Sequence, residues 1–345
     1  MATDLDLKNI LVMHFGQLGD VILGLPALQA LREHFADAKV TLMHGKPPTE
    51  VLKLANVADE YIPVDRVALR DGNKLKSIAE MGRLILDIRR RSFDMVVDLH
   101  SLPETNLLGR VAGIPNRLYG NRESRSIDSL SNFRPKPALE DKSKHATDRY
   151  LDVILPLEIE PRRAPVKLFP RQEDVDSVVA KYPNVFGDGG GSLVGLFPGA
   201  GNPSRCWPID KFAALAGALI DDGLLPVIFL GPEEFEMRPQ VERTFPEGAV
   251  IVDGLSITEF LAALSDLAVF VGNDTGPVHL AACVATPTVL LIDEKAPLTY
   301  LPNNHELTVV GDGPIASISV ESVYRATTAV LEQTRPGAND KRNVE

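Results

Sequence analysis

A short apolar run ending in a loop and followed by a helix-spaced run recurs along this chain, and that alternation restricts it to a layered α/β architecture. Asn9–His14 predicts a buried strand, residues 15–20 (Phe-Gly-Gln-Leu-Gly-Asp) a loop, and Val21, Leu25, Leu28 and Leu31 a helix over 21–35. A second strand is expected at 39–44, a helix at 75–91 and a buried strand at 93–99 that ends in His100 and Ser101. Residues 116–145 are polar and basic and read as loops. The alternation then restarts. Strands are expected at 193–197, 225–230, 250–252, 267–271 and 287–292, with helices at 209–221, 256–265, 277–284 and 320–332. Between the two series lie Pro156, Pro161, Pro165, Pro170 and Pro183 and four glycines within 187–191, carrying a short strand at 166–169 and a helix at 175–181. The expectation is two doubly wound domains, 1–165 and 166–335, facing across a cleft, with a polar tail at 336–345. In such sheets ligands sit beyond the carboxyl ends of the strands. Loops 15–20, 100–106, 198–206, 231–234 and 272–279 fall there.

Charge and composition remove several classes of function. The net charge of −11 is uneven: residues 1–170 sum to +2 and residues 171–345 to −13. A strongly acidic half argues against a protein that wraps nucleic acid. The first half could face an anionic partner, although two differently solvated surfaces is the plainer reading. No stretch approaches the ~18–20 uncharged apolar residues of a spanning helix. The first six residues carry acids where a secretory leader carries bases, so the cytoplasm is the expected compartment. Cys206 and Cys283 lie far apart, which implies neither a disulfide framework nor a zinc site.

Four loops carry residues suited to chemistry. In Gly16-Gln17-Leu18-Gly19-Asp20 the glycines permit close backbone approach to a ligand, and Asp20 falls at a helix N-terminus. Asp20 taken alone is a first-turn acid that stabilises the helix dipole. The loop is not Gly-x-Gly-x-x-Gly, and no Gly-Lys-Ser/Thr occurs, which weakens dehydrogenase and P-loop readings. The loop 198–208 (Pro-Gly-Ala-Gly-Asn-Pro-Ser-Arg-Cys-Trp-Pro) joins backbone amides to one cation, Arg205, in a manner suited to a diphosphate. A surface loop with Trp207 stapling the next helix competes on equal terms. In 272–279 (Gly-Asn-Asp-Thr-Gly-Pro-Val-His) Pro277 opens a helix whose free amides favour an anion. Asp274 there suits a loop organiser or a sugar-hydroxyl acceptor, and His279 lies one turn beyond Thr275. Gly231-Pro232-Glu233-Glu234 places an acid where it can accept from ribose hydroxyls, or simply a solvated turn acid.

Together these segments resemble glycosyltransferase family 9, the bacterial ADP-heptose:lipopolysaccharide heptosyltransferases. The resemblance rests on FGQLGDVILGLPALQALREHFADAKVTLMHG, FDMVVDLHS, HATDRY, GLFPGAGNPSRCWP, FLGPEE and FVGNDTGPVHLAACVATPTVLL, in family order over residues 9–292. It implies a GT-B fold of two Rossmann-like domains, with inverting transfer and no metal ion or other cofactor. By position, Asp20 resembles the catalytic base, and Arg205 stands where the family often has Lys beside the diphosphate. Glu233 resembles the ribose-binding acid. Asp274, Thr275, Gly276 and His279 resemble a donor-site motif. Gly19, Gly199 and Ser204 fall on the donor-binding loops, and Leu255 is expected near the base. Two runs depart from the family pattern, Asp293-Glu294-Lys295 after the last inner strand and Asp-Leu-His-Ser at 98–101.

The resemblance implies transfer of a heptose or related sugar from a nucleotide-diphosphate donor, ADP-heptose foremost, to a lipopolysaccharide core-type acceptor. His100, Arg117, Arg122 and Arg125 are candidates for binding that lipid-linked oligosaccharide, and a solvated basic loop is the plainer alternative. Contact with the inner membrane would be peripheral. No nucleic-acid partner is expected. Two other functions stay open: a GT-B-like nucleotide-sugar epimerase or hydrolase, and a binding module that keeps donor recognition without catalysis.

Overall fold

The computed structural model describes residues 7–160, 162–187, 193–304 and 306–334. The N-terminal acids, the glycines at 189–191 and the polar tail lie outside them. The described residues form two compact units. One runs to Val166 and takes in Leu298–Leu301; the other holds Lys167–Pro297 and the residues from Pro302 on.

The first unit is built on five parallel strands, β1 (Asn9–His14), β2 (Lys39–Gly45), β3 (Glu60–Val64), β4 (Met95–Asp98) and β5 (Asn116–Tyr119), in the order β3-β2-β1-β4-β5. β1 and β4 are apolar nearly throughout because both their faces are covered. Val12 pairs with Val97 and Met13 with Asp98, so the two strands finish side by side. Here the strand order reverses, and the loops after His14 and Asp98 leave in opposite directions. The helix Leu18–His34 buries Val21, Leu23, Leu25, Leu28 and Leu31 and packs against the helix Ala146–Ile154. It is apolar on most sides because it is interior.

The second unit has six parallel strands, β6 (Leu193–Phe197), β7 (Leu225–Phe229), β8 (Val250–Val252), β9 (Val269–Asn273), β10 (Thr288–Leu291) and β11 (Leu307–Val310), ordered β11-β10-β9-β6-β7-β8. Phe197 pairs with Gly272, so β6 and β9 also end together where the order reverses. Trp207 is buried in this unit's core, edge-on to Phe212 at 4.9 Å, and its indole N–H donates to the Ile318 carbonyl at 3.0 Å. It therefore takes the stapling role.

Three strands absent from the sequence reading, β3, β5 and β11, all lie at sheet edges. An edge tolerates Pro63 in β3 and the polar start of β5, so neither gives a buried-strand pattern. The strand expected at 166–169 does not form; Leu168 instead donates its N–H to the Cys283 carbonyl at 2.7 Å. β9 begins and ends two residues later than expected, which puts Gly272 and Asn273 on the strand rather than in the turn.

Candidate active site

In the first unit the chain leaves β1 at His14 and enters the helix at Leu18. A Cβ on Gly16 would lie 2.4 Å from Asp20 Cβ, so only glycine lets the loop pass here. Asp20 is half-buried, and its carboxylate accepts the Gln17 N–H at 3.3 Å. The first-turn role is thus filled, and the other oxygen has no hydrogen-bond partner among the described residues. Burial raises the Asp20 pKa, while the Gln17 amide and the charges of Arg122, Arg149 and Arg125 oppose the rise. A carboxylate held this way takes up a proton more readily than one in water. Gly19, beside it, belongs to the first helical turn, where amides lack intrahelical acceptors.

The end of β4 is organised by Asp98. This fully buried carboxylate accepts from the Ser101 N–H at 2.7 Å, from the Asn106 amide at 3.0 Å and from the Thr105 hydroxyl. Burial outweighs those bonds and lifts its pKa to about 6. Ser101 takes a positive φ of 47°, a conformation uncommon for a residue with a Cβ. The Asp-Leu-His-Ser run is thus a turn that fixes His100. Burial holds His100 neutral, with a pKa near 2, and His14 likewise, near 3. Their rings lie 5.6 Å apart, and His14 packs on Tyr150 at 4.7 Å. The Gly16 N–H points at His14 Nδ1, 3.3 Å away.

The arginines fall into separate groups. Arg117 donates to the carbonyls of Ile114, Leu130 and Pro115, so its guanidinium braces a loop. Arg122 donates to the His100 carbonyl at 2.8 Å and pairs with Glu140 at 3.1 Å. Arg149 pairs with the same Glu140 oxygen at 3.4 Å and stacks over Tyr300 at 4.6 Å. Its Nε and second terminal nitrogen are buried with no hydrogen-bond partner among the described residues. Arg125 stays exposed. Two buried cations on one carboxylate, with Asp20 in their field, leave capacity for an anionic ligand. The role of Arg149 was not read from the sequence, although it stands in the quoted HATDRY segment. His145 of that segment caps the helix, accepting the Thr147 N–H at Nδ1 and donating from Nε2 to the Leu301 carbonyl at 2.9 Å.

In the second unit the β6 and β9 loops are joined by Asn273. Its buried amide donates to the carbonyls of Pro198 and Gly199 at 3.0 and 3.1 Å, and its oxygen accepts the Trp207 N–H at 2.9 Å. Asn202 closes a small turn by accepting from the amide and hydroxyl of Ser204. The exposed Arg205 reaches Asp274 at 3.5 Å. Burial raises the Asp274 pKa and Arg205 opposes it. Thr275 precedes the helix Gly276–Cys283, and its hydroxyl is buried with no partner among the described residues. His279 is buried one turn further along that helix.

The acidic pair after β7 divides in an unanticipated way. Glu233, the expected ribose ligand, is exposed. Glu234 is buried against Gly199 and Gly231, and its pKa is raised by burial and by Glu233. Leu255 is half-buried next to Gly254, whose φ is +65°. Asp293 accepts from the amides of Lys295 and Ile315, each at 3.0 Å, so the departing run closes its own turn. Among the described residues no group of three or more His, Cys, Asp or Glu is arranged to hold a metal ion.

Comparison with known proteins identifies the setting of these loops. Residues 81–325 match the family described as Glycosyltransferase family 9 (heptosyltransferase). The lipopolysaccharide heptosyltransferase 3 of Escherichia coli K12 is 24% identical, over 93% of this chain and 97% of its own. A family 9 glycosyl transferase from Veillonella parvula superposes with a TM-score of 0.84 at 23% identity, covering 96% of this chain and 99% of that one. The ADP-heptose lipopolysaccharide heptosyltransferase II of E. coli gives 0.77 at 20% identity, over 94% and 99%. The shared architecture is GT-B, a Rossmann-like parallel sheet in each unit.

Proposed function

This chain belongs to glycosyltransferase family 9 and is a glycosyltransferase; from that membership we propose that it moves a heptose from ADP-heptose to a lipopolysaccharide core-type acceptor, with inversion and without a metal ion. Asp20 carries the reading. It is a desolvated carboxylate with one oxygen unpartnered among the described residues, it ends the first loop of a parallel sheet, and it lies in the field of Arg122, Arg149 and Arg125. In the proposed step the acceptor hydroxyl gives its proton to Asp20 as its oxygen bonds to the anomeric carbon. The bond from that carbon to the diphosphate breaks, and the electron pair leaves with the ADP. The Arg205 guanidinium and the amides at the start of Gly276–Cys283 suit the charge that develops there. The ADP part of the donor is assigned to the second unit, with Gly199, Ser204, Asp274, Thr275, Gly276 and His279 at the phosphates and Leu255 at the base. For the ribose, buried Glu234 stands beside Glu233 as the candidate acid.

The acceptor is assigned to the first unit. Arg122, Arg149, Arg125 and His100 suit an anionic core sugar or its phosphate, whereas Arg117 supports the loop. No helix among the described residues is long and apolar enough to cross a membrane, so contact with a lipid-linked acceptor would be peripheral.

Two measurements test the reading. Asp20→Ala should fold, bind ADP and transfer little sugar; near-normal turnover removes the base assignment. A thermal-shift panel of ADP, UDP, GDP and CMP should favour ADP, since a ligand at 100 times its Kd stabilises by about 2.7 kcal/mol. Preference for UDP or GDP would replace heptose with another sugar, and release of free or isomerised sugar in place of transfer would point to a hydrolase or an epimerase.

A further inference from the structure

The helix Lys74–Arg91 is apolar on two faces, and only one of them is packed. On the inner face Ile88 is fully buried, and Leu84 and Ile85 pack against the core around Met43, Phe93 and Val96. The opposite face carries Leu75 and Leu86, 78 and 50% exposed, and Ile78, 69% exposed, lies between the two faces. At 100° per residue Leu75, Ala79 and Leu86 form one stripe, with Ile78 on its flank. Isolated exposed leucines need no explanation, but a continuous stripe does. The preceding helix, Arg66–Asp71, adds Val67, 64% exposed.

The charges flanking this stripe have one sign. Lys74–Arg91 has six Lys or Arg against Glu80 and Asp87. On the helical wheel both acids fall away from the stripe, where Glu80 meets Lys76 at 3.9 Å and Asp87 meets Arg91 at 2.8 Å. Arg83 and Arg90 border the stripe on one side and Arg89 on the other, and Arg83 and Arg90 have no ion-pair partner among the described residues. An apolar stripe between arginines is the composition of a helix that lies in a lipid–water interface. A second copy of this chain fits less well, because a symmetric contact through this stripe would bring the arginines of one copy against those of the other.

We propose that the outer face of Lys74–Arg91 docks this enzyme on an anionic lipid bilayer, with Leu75, Ile78 and Leu86 entering the headgroup region and Arg83 and Arg90 meeting lipid phosphates. The helix that precedes it, Arg66–Asp71, is tied to the candidate site. Arg66 donates to the Phe15 carbonyl at 2.9 Å, in the loop that leads to Asp20. A bilayer met by the unit that holds Asp20 is also where a lipid-linked acceptor would lie. That purpose rests on the transfer reading; the docking itself does not.

The full chain is sedimented with phosphatidylethanolamine vesicles containing phosphatidylglycerol, and with phosphatidylcholine vesicles, without donor or acceptor. Binding is expected only to the anionic vesicles, and it should weaken as salt is raised. Arg83→Glu and Arg90→Glu should each reduce partitioning by about fivefold or more. Leu75→Asn, Ile78→Asn and Leu86→Asn combined should reduce it by roughly tenfold or more. All these variants should keep the parent's thermal shift with ADP, which shows that they fold and that a failed docking result leaves the donor reading intact. No binding to anionic vesicles, equal binding to neutral ones, or equal binding by the variants overturns the proposal. So does a dimer in solution that the stripe variants convert to a monomer, which assigns the face to a second copy.

Discussion

The Glu234 carboxyl occupies the space that a side chain on Gly199 would need. A Cβ on Gly199 would come within 2.2 Å of Glu234 Cγ and 2.4 Å of its Oε1. The loop after β6 is therefore shaped around the acid that follows β7. Gly199→Ala should destabilise the protein by about 1–3 kcal/mol through overpacking. Adding Glu234→Ala should return part of that loss, because the obstructing atoms are gone. Denaturant unfolding of the two single variants and the double checks this; costs that add without coupling would show that the loop relaxes independently of Glu234.

Asn273, at the end of β9, makes a second connection to the loop after β6. Its amide group makes three hydrogen bonds, to two carbonyls of the β6 loop and from the Trp207 N–H. Asn273→Ala leaves all three backbone groups unpaired in a buried place, at a cost of roughly 1–3 kcal/mol for each that water does not reach. The variant should melt lower, and its affinity for ADP should fall by more than its stability alone explains. Unchanged ADP affinity in a destabilised variant would confine Asn273 to a structural role.

Asp20 should show an exchange of stability for function. Its pKa is raised in the fold, mainly by burial. The folded state therefore holds the proton to higher pH than the unfolded chain, and stability falls as pH rises from the ordinary carboxylate value to the raised one. Asp20→Asn removes that loss and should melt no lower than the parent at neutral pH, while its transfer activity collapses. In the parent, kcat/KM should rise with pH through the Asp20 pKa and then level off. A steep acid limb surviving in residual Asp20→Asn activity would assign that limb to another group.

Much of this was legible in the sequence because inner parallel strands are covered on both faces and so are written as unbroken apolar runs. β1 and β6 fall where the pattern puts them, β9 is shifted by two residues, and the short edge strand β8 is found as well. The other edge strands, β3, β5 and β11, were hidden because half-exposed strands carry polar residues and proline. The candidate loops were legible for the same reason that sites lie there, since glycines and cap residues mark the ends of strands. Partnerships between distant residues were not legible. Nothing local to Glu234 indicates that it fills the space beside Gly199, and nothing in residues 117–149 indicates that Arg117 braces a loop while Arg149 keeps donors free. Those outcomes depend on which side chains the fold brings together, and spacing along the chain does not encode them.

Arg149 gives the sharpest separation between binding and support. Glu140 takes one of its nitrogens at 3.4 Å, Tyr300 stacks on its plane, and its remaining donors have no partner among the described residues. A planar guanidinium so held suits a carboxylate or phosphate through two parallel bonds, a geometry that lysine does not reproduce. Arg149→Lys should keep the charge and much of the fold, yet raise the KM for an anionic acceptor by about tenfold, the loss of one charge-assisted bond. Arg149→Met should raise it further. Both should leave the ADP thermal shift unchanged, since the donor is assigned to the other unit. An acceptor KM unchanged in Arg149→Lys would show that the cation acts only by holding Glu140 and Arg122 in place, and a weakened ADP shift would move Arg149 to the donor side.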